Sequence, residues 1–259
     1  MTVRKPLIAG NWKMFGRRAD LTQLTALAER TRDVAAGVDI LICPPVTLLA
    51  EAAVLAGEGP VLLGAQDCAE TPHDAAQTGE INAAMLADAG ARYVIVGHSE
   101  RRAGRGETDL QVRVKADAAA AAGLAPIVCV GESYDARLAG SAGQMVTRQL
   151  AGSLPHAAPI GLTVAYEPVW CVGTDKTPTP AEIEGMHALI GAALTARFGS
   201  AAARVRVLYG GSVNATNAGA IFATPGVDGA LVGRASLNAA DFAAIISAHP
   251  AAQALRSGN

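Results

Sequence analysis

The sequence predicts an α/β fold closed into an eight-stranded parallel (β/α)8 barrel, a single domain over residues 1–259, and three observations carry that expectation. Eight short runs rich in Val, Ile and Leu are apolar throughout instead of alternating, as strands covered on both faces must be. The segments between them are rich in Ala, with apolar residues at helical spacing. Strand and helix together recur about every 30 residues, so eight units use up the 259 residues, close to the ~250 that such a barrel occupies. No linker, charge block or low-complexity tail interrupts the series.

The first strand, residues 6–12, runs into Gly10-Asn11-Trp12-Lys13-Met14. Active sites of this fold lie at the C-terminal ends of the strands, so an amide and an ammonium stand together at the barrel mouth. Lys13 suits either an anionic substrate or an ordinary solvated surface. Leu21, Leu24, Leu27 and Ala28 mark the first helix, and strands are expected at 38–43 and 61–65. Residues 66–80 then form a connection too long for a usual strand-to-helix loop, a sign of function or of a partner.

The fourth strand, 93–96, ends in Gly97-His98-Ser99-Glu100-Arg101-Arg102. At the start of the following helix His98 meets the positive end of the helix dipole, which disfavours imidazolium. A neutral ring can donate to a substrate carbonyl, and a purely structural role at the helix start stays open. After the strands at 127–130 and 162–166 comes Glu167, directly before Pro168. It reads either as a desolvated base with a raised pKa or as the partner of Arg101 or Lys13 in a salt bridge. Residues 168–178, with Pro168, Val169, Trp170, Cys171 and Val172 followed by Gly173, Thr174, Asp175 and Lys176, are apolar for a loop and are expected to cover something. Ile183, Met186, Leu189 and Ile190 line the next helix.

The last two strands, 205–209 and 227–232, end in Tyr209-Gly210-Gly211-Ser212-Val213 and Val232-Gly233-Arg234-Ala235-Ser236. Small-residue turns ahead of helices offer successive backbone N–H groups to an anion, and the phosphate site of this fold lies at these two loops.

A formal charge of −2 with 17% charged residues provides no basic field for nucleic acid. The uncharged stretch 118–131 is broken by Gly123 and Pro126 and is shorter than the ~18–20 apolar residues of a membrane span. The N-terminal apolar run, ended by Asn11 and Lys13, is too short for a signal peptide, which leads to the expectation of a cytoplasmic protein. Cys43, Cys68, Cys129 and Cys171 are far apart with no C-x-x-C pair, so neither a metal site nor a dithiol redox pair is expected.

From Gly10 to Leu237 these motifs, in order and spacing, resemble the triosephosphate isomerase family, the family of the TIM barrel; Cys129-Val130-Gly131-Glu132 adds a fifth matching segment. The resemblance implies an aldose–ketose isomerase of a three-carbon sugar phosphate acting through an enediolate, with Glu167 as base, His98 as neutral electrophile, and Lys13 and Asn11 as electrostatic partners. That pairing of a base with a neutral imidazole is itself a known pattern of the family. Glu100, in the His98 motif, counts among the catalytic residues. Gly173, Ser212, Gly233 and Arg234 are implied to hold the phosphate through backbone amides, under a lid that includes Thr174 and Lys176. The resemblance also implies a homodimer in which Thr78 reaches the neighbouring active site, and no metal or organic cofactor. Several positions depart from the family pattern: Arg234 and Asp175 replace glycines, Cys171-Val172 an Ala-Ile pair in conservative swaps that keep the lid apolar, Gln77 an aromatic residue and Asp67 an asparagine. Two alternatives accompany this expectation: a paralogue acting on a four-carbon ketose phosphate, and a silent barrel used as a scaffold, which should have lost Lys13, His98 or Glu167.

Overall fold

The computed structural model describes residues 4–171 and 177–257. Eight parallel strands, β1 (Leu7–Asn11), β2 (Asp39–Cys43), β3 (Val61–Ala65), β4 (Tyr93–Val96), β5 (Ala125–Val130), β6 (Thr163–Tyr166), β7 (Arg206–Tyr209) and β8 (Gly229–Val232), pair in sequence order, and β8 returns to β1 to close the barrel. All eight expected strands are present. The ends of β3 and β4 fall where expected and the others shift by one or two residues, by two at β8, which begins at Gly229, and at β5, which begins at Ala125 because Tyr93 and Val94 of β4 pair with Ala125 and Pro126.

The strands are apolar on both faces because each face has its own core. Leu7, Ala9, Leu41, Cys43, Ile95, Ile127, Cys129, Ala165, Leu208 and Leu231 fill the barrel, whereas Ile8, Ile40, Ile42, Val94, Val128, Val164, Val207 and Val232 pack outward under the helices. Side chains of a strand point to opposite faces in turn, so odd positions of β1 and β6 face inward. That parity carries Asn11 to the top of the barrel interior and sets Glu167, two residues past Ala165, on the same side.

At the opposite end Arg206 closes the barrel. Its guanidinium donates to Asp39 Oδ2 at 2.9 Å and to the Tyr93 hydroxyl at 2.8 Å, and Lys5 holds the other Asp39 oxygen at 2.9 Å. Buried charge is tolerated there because it is paired and hydrogen-bonded.

The helix Pro180–Phe198 starts on a reciprocal cap between Thr179 and Glu182, with Pro180 in its first turn where no backbone donor is missed. It buries Ile183, Met186, His187, Ile190 and Leu194. Residues 66–82, by contrast, contain no helix or strand, and 72–80 are exposed. Among the described residues no helix is long and apolar enough to cross a membrane, and the four cysteines are buried.

His187 stands edge-on to Tyr166 with Nδ1 2.9 Å from the Gly226 carbonyl oxygen, and its Nε2 finds no partner among the described residues. Burial pushes its pKa down from 6.5 to about 4, against a smaller upward effect of the Gly226 contact. The folded state therefore resists a proton that the unfolded chain accepts. Stability from this group is full above pH 6.5 and is lost as pH falls toward 4, on the order of 3 kcal/mol in all. The expected outcome is that His187→Gln flattens part of the wild-type fall in urea midpoint between pH 6.5 and 4.5. Identical slopes in the two proteins would show that His187 carries none of it.

Candidate active site

Five chain segments, those that follow β1, β4, β6, β7 and β8, meet at the C-terminal mouth. Glu167 leaves β6 with its N–H on the Val130 carbonyl at 2.8 Å and only 2% of its surface exposed. The fit around it is close: a Cβ on Gly131 would lie 1.7 Å from the Glu167 carbonyl oxygen, and one on Gly210 would lie 2.9 Å from Glu167 Cγ. Only glycine suits those two positions.

His98 caps the helix Ser99–Arg105, and the Glu100 N–H donates to its Nδ1 at 3.2 Å. A ring nitrogen that accepts a backbone N–H carries no proton, so the proton lies on Nε2, which is 2.9 Å from Glu167 Oε1. The imidazole is thus a neutral donor aimed at the carboxylate. Ser99 completes the cradle, its N–H donating to Glu167 Oε2 at 2.9 Å and its hydroxyl to Oε1 at 3.3 Å.

The charge state of Glu167 corrects the expectation of a raised pKa. Burial does push it up, but the His98 ring, the hydrogen bond from it and the Ser99 N–H together hold it below the ordinary carboxylate value. For His98 the order is reversed: burial pulls its pKa down, and the Glu167 carboxylate raises it above the ordinary value. Nor does Glu167 pair with Arg101, which binds Asp67 and Glu107 instead at 2.7 and 2.6 Å.

Lys13 extends from the loop after β1 with Nζ 2.5 Å from Glu100 Oε1. Its backbone N–H donates to Asn11 Oδ1 at 2.9 Å, and its φ of 55° is the only positive value at a non-glycine residue among those described. Holding a lysine there costs about 1–3 kcal/mol, which neighbouring bonds must offset. A methyl group placed on Gly233 would be 4.0 Å from Nζ, so the ammonium overlies the turn after β8.

Ser212, Gly233 and Arg234 line, with Asn11, Lys13, His98, Glu100 and Glu167, one cavity of about 470 Å³. The backbone N–H groups of those first three residues donate to nothing among the described residues. Arg234 begins a 3-10 turn, Arg234–Ser236, without positive φ, so replacing a family glycine introduces no backbone strain. Gly173, Val172, Thr174 and Lys176 of the expected phosphate grip and lid, and Asp175 with them, lie outside the described residues.

Pro168 leads into the 3-10 turn Val169–Cys171. Glu132 anchors that turn. It is fully buried, and its Oε1 accepts from the Tyr166 hydroxyl at 3.1 Å and from Trp170 Nε1 at 2.8 Å, while its carbonyl accepts the Val169 N–H at 3.1 Å. Arg137 adds a 3.3 Å contact to the same oxygen and lies 5.1 Å above the Trp170 ring. Neither Ser99 nor Glu132 emerged from the sequence as a site residue, although both lie inside motifs singled out there. Their signal was position: one follows the histidine at a helix start, and the other follows a strand and a glycine.

Because His98 exerts the largest downward pull on Glu167, His98→Gln is expected to move the acid limb of the kcat/KM–pH profile to higher pH and to lower kcat about a hundredfold. An unmoved limb would separate Glu167 from that titration.

The family model of triosephosphate isomerase matches residues 6–249. A triosephosphate isomerase from Rhizobium etli is 51% identical over 249 residues, 95% of this chain and 97% of that protein. One from Afipia carboxidovorans is 53% identical over 247 residues, 95% and 98% of the two chains. The crystal structure of triosephosphate isomerase from Bartonella henselae matches with a TM-score of 0.87 at 43% identity, covering 94% of this chain and 98% of that one.

Proposed function

The chain belongs to the triosephosphate isomerase family and interconverts glyceraldehyde 3-phosphate and dihydroxyacetone phosphate, and from that premise we propose that Glu167 is the base, His98 the neutral electrophile, Lys13 and Asn11 the electrostatic partners, and Ser212, Gly233 and Arg234 the phosphate grip. The observation that carries this reading is the contact of 2.9 Å between Glu167 and His98 Nε2 inside the cavity that Lys13 shares. The four-carbon and scaffold alternatives are not favoured, since relatives at about half identity over nearly the whole chain carry the three-carbon name.

A substrate carbonyl needs the Nε2 proton that Glu167 now accepts, so binding must displace the carboxylate from His98. In leaving, it gives up the bonds that depress its pKa while remaining buried, and desolvation then makes it a stronger base. Glu167 takes a proton from the carbon beside the carbonyl, and the electron pair moves into the enediolate oxygen, which His98 and Lys13 stabilise. His98 Nε2 gives its proton to that oxygen and takes the proton of the neighbouring hydroxyl, and Glu167 then returns its proton to the former carbonyl carbon, which leaves the carbonyl at the neighbouring position and restores both the carboxylate and the neutral imidazole. Glu100 holds Lys13 when no anion is present. Residues 168–178 act as the cover that excludes water from the enediolate, whose phosphate would otherwise be eliminated.

An isomerase assay with glyceraldehyde 3-phosphate and a four-carbon ketose phosphate side by side should show preference for the former. Glu167→Gln should stay folded and lose about a thousandfold or more in kcat. Activity within about tenfold of wild type would remove Glu167 from the role of base.

A cytoplasmic homodimer is part of this reading. A groove of about 1130 Å³ runs between the loops after β1 and β3, with Met14 95% exposed at its edge and Val46 and Gln77 along it. Such apolar exposure beside a groove suits a second copy, whose 66–82 loop would bring Thr78 to Asn11 and Lys13. Light scattering at micromolar concentration should give twice the 26.2 kDa of the chain. Thr78→Arg should split that species and abolish most activity; an active wild-type monomer would defeat the assignment.

A further inference from the structure

Lys13 has its reactive ammonium on a backbone that L residues avoid, so something must hold it there. Asn11 secures only the N–H side. On the carbonyl side, Gln66, the first residue after β3, reaches across the end of β2, and its side-chain Nε2 donates to two backbone oxygens, Lys13 O at 2.9 Å and Cys43 O at 2.9 Å. Cys43 is in turn the register partner of Asn11, and its carbonyl also accepts the Trp12 N–H at 3.1 Å. One amide group therefore uses both of its protons to tie the left-handed turn at Lys13 to the rigid top of the barrel.

We propose that Gln66 is a positioning residue for the isomerisation, acting through Lys13: its bridge between the Lys13 and Cys43 carbonyls fixes the backbone from which the ammonium reaches the anion site. The inference rests on the catalytic reading of Lys13 given above. Gln66 lines the groove rather than the substrate cavity, so its effect passes through the backbone of residue 13 and not through contact with substrate. If the bridge is lost, Lys13 can relax from positive φ, and the ammonium moves off the phosphate loop. Misplacement of that kind costs about a hundredfold where charge position governs the transition state.

The test is a cycle of Gln66→Met with Lys13→Met, reading kcat, KM and competitive inhibition by inorganic phosphate. Lys13→Met alone should raise KM and lower kcat together; if it changes neither, the reading of Lys13 fails and the inference falls with it. Given that effect, Gln66→Met alone should lower kcat/KM about 30- to 100-fold and weaken phosphate inhibition, yet cost less than about twofold in the Lys13→Met background. An equal loss in both backgrounds would mean that Gln66 acts independently of Lys13, and a loss under twofold in wild type would mean that it positions nothing. Either result overturns the proposal and leaves the catalytic reading standing. Should Gln66→Met not fold, Gln66→Asn, which keeps the amide but is a methylene too short to span the two carbonyls, takes its place with the same expectations. Failure of both to fold would assign Gln66 to structure and overturn the positioning role.

Discussion

A carboxylate removed from water is stable only where donors replace the solvent it has lost, and the upper end of this barrel is built around one such group. Glu167 receives the Ser99 N–H, the Ser99 hydroxyl and the His98 Nε2 proton. Those donors belong to β4 and its helix, whereas the carboxylate belongs to β6, so β5 must lie between them with nothing in the way. That requirement reaches into the sequence as glycine: at Gly131 any side chain would collide with the Glu167 backbone, and at Gly210 with its side chain. It also requires a closed barrel, because only closure brings β1, with Asn11 and the Lys13 turn, round to the same opening as β6.

The two ends of the barrel handle buried charge in opposite ways. At the lower end Arg206 is held by Asp39, Tyr93 and the Lys5 carbonyl, and all three partners are permanent parts of the fold. At the upper end the partners can be exchanged. Lys13 rests on Glu100, which is itself half exposed, and Glu167 rests on a ring that the proposed mechanism assigns to the substrate. The same alternation of strand side chains supplies both ends. What separates them is the cavity above, lined by donors without acceptors, which makes the upper pairings replaceable.

Much of this arrangement was legible in the sequence, and the reasons for the rest are physical. Strands announce themselves here because parallel strands covered on both faces leave long apolar runs; the end of β5 moved because pairing with β4, invisible in one dimension, extends it. Asn11, Lys13, His98 and Glu167 stood out as polar residues at the ends of apolar runs. Ser99 and Glu132 did not, since each matters through a partner on another strand. Gln66 is the extreme case, an ordinary residue opening a long loop whose meaning lies in two carbonyls 23 and 53 positions away. The pKa of Glu167 was misjudged for the same reason: burial follows from a sequence, whereas the imidazole that outweighs it appears only when β4 and β6 are brought together.

On the proposed reading, these pairings also explain how one site can be both stable and reactive. Two of the charges that line the cavity already have protein partners, Lys13 with Glu100 and Glu167 with His98 and Ser99. On the proposed reading, a substrate phosphate would offer Lys13 a stronger anion than Glu100, and a substrate carbonyl would offer His98 an acceptor other than Glu167. In the proposed mechanism binding consists of exchanging partners, and each exchange would move a group toward its reactive state: the ammonium toward the developing oxyanion, the carboxylate away from the donors that keep it a weak base. The backbone of Lys13 has to stay still while its side chain changes partner. A residue held at positive φ between two side-chain amides meets that need, because the strain that would let it relax is opposed on both its N–H and its carbonyl.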